Sequence, residues 1–168
     1  TGLILLRKLL IFTISLCITL CSCGKDDTTV GIDSSAFFTD FTAEYNDLSI
    51  SGSLTSDDNS GYAISITAPE NLNGLNIVYN NDKIRLSFFG LSKEFERSAI
   101  PQYNMVFTVC DVIDSVIHSS PAAEKTDDGY VLSGDINGTN YSLTLNDDRK
   151  PQILTVDGEM PITVKFSS

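Results

Sequence analysis

Tyr62-Ala63-Ile64-Ser65-Ile66-Thr67-Ala68 sends Tyr62, Ile64, Ile66 and Ala68 to one side of an extended chain, and Ser65 and Thr67 to the other. Such period-two alternation marks a strand with one dry face and one wet face. The pattern recurs on both sides of this stretch. Upstream, Phe37, Phe41, Ala43 and Tyr45 alternate with Thr42 and Glu44, and Leu48, Ile50, Gly52 and Leu54 with Ser49, Ser51 and Ser53. Downstream come Leu75, Ile77 and Tyr79, then Ile84, Leu86 and Phe88 against Lys83, Arg85 and Ser87. The last third adds Tyr130-Leu132, Tyr141-Leu143-Leu145, Ile153 to Val156, and Ile162-Val164-Phe166. Polar runs separate them: Asp57 to Gly61, Asn80-Asn81-Asp82, Asn137-Gly138, Asn146-Asp147-Asp148 and Asp157-Gly158. Asn-Gly and Asp-Gly supply the positive φ angles that tight hairpins need. An antiparallel meander of about nine strands is expected.

One segment changes period. Between Met105 and Ile117 the apolar residues fall at 105, 106, 109, 110, 112, 113, 116 and 117, which are helical offsets, while Thr108, Asp111, Asp114 and Ser115 share the other side. Asn104 is placed to cap the start, Pro101 precedes it, and Ser119-Ser120-Pro121 ends it.

Coverage then constrains the shape. Nine strands spaced about 4.8 Å apart make a sheet roughly 40 Å wide. A helix of about 13 residues is only about 20 Å long and about 10 Å across, too small to cover a flat sheet's dry face. Large bare apolar faces are rare on soluble monomers, so the sheet is expected either to curl around the helix, which its twist favours, or to leave an apolar groove beside it. Gly52 and Gly90 are positions where strands can bend. The expected fold is α+β, a strongly curved antiparallel half-barrel cradling one main helix. Such a shape offers a cleft between helix and sheet for a hydrophobic or amphipathic ligand, a lipid or acyl chain. The residues expected to line it are Ile64, Ile66, Ile84, Leu86, Phe88, Val109, Ile113 and Val116. The alternative is an envelope protein-interaction module whose core is filled.

The N-terminal stretch speaks of location. Arg7 and Lys8 precede an apolar run from Leu9 to Leu20, followed by Cys21-Ser22-Cys23-Gly24. A bilayer-spanning helix needs about 20 apolar residues, so this run reads as an export signal instead. Leu20 three before Cys23, with small Ser22 just before it, resembles the lipobox of bacterial lipoproteins; Cys21 would place bulky Leu20 directly at the cut. The resemblance implies residues 1–22 as signal peptide and a lipidated Cys23. The protein would then be anchored in the cell envelope, facing away from the cytoplasm. Residues 23–36 are polar and small, with Asp26, Asp27, Thr28 and Thr29, and read as a tether before a domain at 37–168.

Processing at Cys23 leaves 146 of the 168 residues, enough for one domain with a substantial core. With Arg7 and Lys8 gone, the 11 cations become 9 against 22 acids, a net charge of −13. A surface of that sign repels phosphate backbones, so nucleic acid is not an expected partner. Of the four cysteines, Cys110 alone remains within the domain. It has no internal disulfide partner, and its neighbours Val109 and Val112 point to a buried, inert thiol.

Catalytic chemistry finds no foothold. His118 is the single histidine, and eight helical residues set it roughly 12 Å from Cys110. It fits a cation near a helix C-terminus. The chain shows no nucleophile elbow, phosphate loop or metalloprotease helix motif. Asp57-Asp58-Asn59 and Asp147-Asp148 lack the spacing of a calcium loop, and Glu94 with Glu96 reads as solvated charge. No enzyme activity, metal or cofactor is expected.

Family resemblance enters on a set of short motifs. Tyr62-Ala63-Ile64-Ser65-Ile66 runs into Pro69, Leu72, Gly74 and Leu75, then Val78-Tyr79-Asn80-Asn81-Asp82-Lys83-Ile84; Lys150-Pro151-Gln152-Ile153-Leu154 and Ile162 to Phe166 follow. The order resembles LolA-like lipoprotein-carrier domains from Phe37 to Phe166. The resemblance implies a half-open antiparallel barrel closed by helices, with an inner face that accepts lipid chains. This chain offers one good helix rather than several and carries its own lipidation signature, which points to a resident, anchored binding domain.

Overall fold

The structure, a computed structural model, describes residues 28–32, 38–57, 61–80, 82–100, 104–119, 121–159 and 161–167. Residues 1–22, read above as a signal peptide, lie outside the described residues, as do Cys23 and Phe37.

Among the described residues twelve strands form one antiparallel sheet. They are β1 (Thr28–Thr29), β2 (Phe38–Tyr45), β3 (Leu48–Asp57), β4 (Gly61–Ala68), β5 (Asn76–Asn80), β6 (Lys83–Phe88) and β7 (Leu91–Glu96). After helix α1 (Met105–Ser119) come β8 (Ala122–Thr126), β9 (Gly129–Ile136), β10 (Thr139–Leu145), β11 (Pro151–Val156) and β12 (Ile162–Ser167). The spatial order is β1-β8-β9-β10-β11-β12-β2-β3-β4-β5-β6-β7, so two meanders meet where β12 pairs with β2. The sheet is open, with β1 and β7 at its edges.

The sheet exceeds the expected count of about nine strands; β1, β7 and β8 are the additions. Their absence from the sequence reading has a physical cause. Alternation betrays a strand only when one face is buried, and β7 is exposed along its length apart from half-buried Phe95. Ala123 alone is buried in β8. The tether reading also needs correction. Thr28 and Thr29 pair with Ala123 and Ala122, and Val30 and Ile32 are buried, so this segment packs on the domain rather than spanning free space.

Helix α1 starts where its cap predicts: the Asn104 side-chain carbonyl accepts from the Val106 backbone N–H at 3.0 Å. Its buried residues are Phe107, Val109, Cys110, Val112, Ile113 and Val116. At 3.6 residues per turn these cover an arc of roughly 220°. A flat sheet touches less of a helix than that, so the wide arc reports a sheet that wraps around it. Each such side chain contributes on the order of 2 kcal/mol by leaving water. The polar side of the helix departs from expectation, because Asp111 and Asp114 meet tyrosines of the sheet rather than bulk water.

Glycine bends the sheet at one of the two expected places. The β3–β4 register shifts between Ser51 and Gly52, and a Cβ on Gly52 would stand 2.3 Å from the Ser65 carbonyl oxygen. Gly90 is instead the second residue of the β6–β7 turn, with φ +80°.

Candidate functional site

The eight residues expected to line a cleft do not share one. Ile84, Ile113 and Val116 are fully enclosed in the core. Ile64, Ile66 and Val109 border a small apolar gap, together with Phe41, Ala43, Leu54, Met105, Val106, Val164 and Phe166. Leu86 and Phe88 are half-buried towards the far end of β6. The gap itself holds only about 20 Å³. That is the room of about one water, and a gap with apolar walls stays dry.

The larger space lies elsewhere. A cleft of about 440 Å³ opens beside Thr108 of α1, bounded by Tyr45, Ile136, Asn137, Gly138, Thr139, Val156, Asp157, Gly158, Glu159 and Ile162. Register explains it. Ile136 pairs with Thr139, Val156 with Ile162, and Ile162 with Tyr45, so the floor is the last rung of β9, β10, β11, β12 and β2. Among the described residues the helix begins at Met105 and brings Thr108 beside this rung. Apolar side chains make the floor, and the turns Asn137-Gly138 and Asp157-Gly158-Glu159 make the rim. Its described lining carries two carboxylates, Asp157 and Glu159, and no cation. Sequence reasoning passed over these positions because most are turn residues. The available signal was the excess of inward apolar residues at strand ends over the helix length.

At the other end, β4 and β5 grip the helix through side chains. Tyr62 Oη donates to Asp114 at 2.7 Å, and Tyr79 Oη donates to Asp111 at 3.0 Å. Arg97 donates to the second Asp111 oxygen at 3.2 Å and stacks 4.3 Å from the Phe107 ring centre. Burial, reinforced by Asp114, pushes the Tyr62 phenol well above its ordinary value. Burial and then Asp111 push Tyr79 up to about 12.

The candidate reactive groups are accounted for by local contacts. Cys110 is fully buried, and burial raises its thiol well above the usual range. His118 is exposed, its Nδ1 within 2.8 Å of the Asp114 carbonyl oxygen one turn back. Glu94 pairs with Lys83 at 2.8 Å and Arg85 at 3.1 Å, which hold its carboxyl below the usual range. Asp147 pairs with Lys125. Among the described residues no group of three or more His, Cys, Asp or Glu is placed to hold a metal ion.

No protein-family model matches the chain, and no curated protein does. Solved structures do. An uncharacterized conserved protein from Thermus thermophilus superposes with TM-score 0.50 at 11% identity, covering 80% of this chain and 79% of that one. A LolA superfamily protein from Nitrosomonas europaea gives TM-score 0.44 at 10% identity, over 83% and 87% of the two chains. A chain in the structure of the CwlD amidase from Clostridioides difficile in complex with the GerS lipoprotein gives 0.46 at 19%, over 74% and 76%. At such identities the likeness is one of fold. What is shared, over 80% of this chain, is the fold of the Thermus thermophilus protein.

Proposed function

We propose that this domain binds a hydrophobic or amphipathic ligand in the turn-end cleft between α1 and the sheet. The observation that carries the reading is the cleft itself: about 440 Å³ beside Thr108, floored by Tyr45, Ile136, Val156 and Ile162. Ligand clefts typically measure about 300–1,000 Å³ and combine apolar walls with a few polar groups, as this one does. The carboxylates Asp157 and Glu159 at the rim disfavour a head group of purely negative charge. In this reading Cys23 carries the lipid that holds the domain at the envelope, outside the cytoplasm.

Native mass spectrometry of the purified chain tests it. The wild type is expected to carry a lipid-sized adduct, and Thr108→Trp, which fills the cleft from the helix side, to lose it. An identical adduct on both proteins defeats the cleft as the site. Wild-type protein that stays bare after incubation with lipid defeats ligand binding altogether. A second reading, a protein-interaction module with a filled core, draws on the gap of about 20 Å³ under the first turns of α1.

A further inference from the structure

We propose that the tip of the β6–β7 hairpin is a membrane-contacting wedge that enters the interfacial layer of a lipid bilayer. The hairpin closes through the two-residue turn Phe89-Gly90 between the paired residues Phe88 and Leu91. Phe89 is 84% exposed and Leu91 78%, and the Phe88 and Phe89 rings lie 4.3 Å apart. Three large apolar side chains thus crowd one turn, and two of them stand in solvent.

The backbone makes this costly for the fold. Phe89 holds φ +49°, a left-handed conformation that bulky side chains avoid and asparagine tolerates. In two other hairpin turns the chain uses the residue that this position favours, although Arg149 in the β10–β11 loop also holds φ +62°. Asn46 follows Tyr45 in the β2–β3 turn at φ +53°, and Asn137 precedes Gly138 in the β9–β10 turn at φ +53°. A phenylalanine set in the same conformation, and left bare, gives the folded domain neither relaxed backbone nor buried area. Its gain lies outside the chain.

The surroundings favour lipid over a protein pocket. The apolar cap is one rung deep: directly behind it Ser87 and Ser92 join hydroxyls at 3.0 Å on the wet face. Next along β7, Lys93 is exposed and its ammonium lies 4.9 Å from the Phe95 ring centre. On β6 and β7 three cations (Lys83, Arg85, Lys93) meet two acids (Glu94, Glu96), in a chain whose acids outnumber its cations twofold. Aromatic and aliphatic tips suit an interface, where such side chains sit at head-group level. A stable protein interface needs about 800 Å² per partner, far more than one two-residue turn presents.

Position agrees. Register sets Phe88 and Leu91 at the same end of the strands as the Tyr45–Leu48, Ile136–Thr139 and Val156–Ile162 turns. A tip in lipid would bring that end, and with it the cleft mouth, to the bilayer surface. The wedge stands on its own residues whether or not the cleft holds a ligand.

The chain contains no tryptophan, so Phe89→Trp or Leu91→Trp in the full chain gives a unique fluorophore at the tip. The probe is a vesicle of phosphatidylcholine with a minority of phosphatidylglycerol, with and without brominated acyl chains. Both tip reporters are expected to shift to the blue and to be quenched by bromine, while Ile153→Trp on the wet face of β11 is not. Adding Phe89→Asn to Leu91→Trp should weaken the quenching roughly tenfold, the scale of leaving one phenylalanine in water. The same Phe89→Asn change should raise the melting temperature. Tip reporters that stay unquenched on vesicles overturn the proposal. So does burial of the tip by an added envelope protein without any vesicle effect, or a Phe89→Asn chain that melts lower than the wild type.

Discussion

The phenol of Tyr62 in β4 donates to the carboxylate of Asp114 in α1 at 2.7 Å, joining residues 52 positions apart. The neighbouring Tyr79–Asp111 bond at 3.0 Å repeats the arrangement one strand over, and the two rings stack 6.2 Å apart. Together with the Arg97–Asp111 pair, these bonds fix in rotation and register a helix whose other contacts with the sheet are mostly apolar. Removing the Tyr62 hydroxyl leaves Asp114 without its partly buried donor. Hydrogen bonds to charged groups contribute roughly 1.5–3 kcal/mol, so Tyr62→Phe is expected to cost about 2 kcal/mol in urea unfolding. In a cycle with Asp114→Ala the double variant should lose less than the sum of the singles. Additive losses would mean the bond does nothing for the helix.

The same clasp predicts how stability depends on pH. Folding raises the Tyr79 phenol from its ordinary 10.0 to about 12, through burial first and Asp111 second, so the folded chain holds that proton more tightly than the unfolded one. The associated stabilisation is complete below the unfolded value and is lost as pH rises from about 10 towards about 12. Tyr62 shifts in the same direction and adds to the loss. Melting temperature should therefore fall across that window. Tyr79→Phe should flatten the fall while lowering the starting value. A wild-type profile that is level to about pH 12 would contradict the clasp.

Much of this fold was legible because burial is one-sided. Ile64, Ile84, Leu143 and Val164 are enclosed where alternation put them, and α1 starts at the residue Asn104 caps. What stayed illegible lacks a dry face or a local signal. β7 has almost no buried residue, so its pairing with β6 leaves no trace in hydrophobic period. The cleft is harder still, since it arises where Thr108 of α1 meets Tyr45, Ile136 and Ile162. No window of sequence contains that relation; it exists only after strands far apart in the chain are in register. The apolar residues chosen as lining from alternation alone were mostly core, because the feature that marks a strand's inner face also marks its most completely covered part.

Core and rim of the inner face should respond differently to truncation. Ile113 is fully buried against the sheet, and Ile→Ala changes in such sites cost about 2–5 kcal/mol. Ile113→Ala should fall in that range. Leu86 on β6 is half-buried, and Leu86→Ala should cost about half as much or less, since less apolar area leaves water. Equal losses in denaturant titration would mean that the β6 end is packed more tightly than its exposure indicates.

Gly52 is irreplaceable on steric grounds. A methyl there would stand 2.3 Å from the Ser65 carbonyl oxygen, and that oxygen belongs to backbone held by the β3–β4 ladder. Relief requires separating the two strands beside the bulge. Gly52→Ala is expected to destabilise the domain by about 2 kcal/mol or more, against the slight gain alanine brings at unconstrained glycines. A variant as stable as the wild type by thermal melt would show that the strands can part there freely.

Cys110 supplies a clock for the helix itself. Its thiol is fully buried under α1, and burial raises its pKa well above the usual range, so both access and thiolate are withheld in the folded domain. Reaction with a disulfide reagent should therefore be slow in native protein and immediate in denaturant. The informative comparison is with Tyr62→Phe and Tyr79→Phe, which weaken the clasp at the Asp111 and Asp114 end. If α1 opens locally, these variants should label faster by more than their global stability loss accounts for, and rising urea should leave the native rate nearly flat at first. If α1 leaves the sheet only when the whole domain unfolds, labelling should track the denaturant dependence of global unfolding throughout. The enclosure of the helix over roughly 220° favours the second outcome. Fast labelling of the unperturbed protein would contradict the enclosure itself.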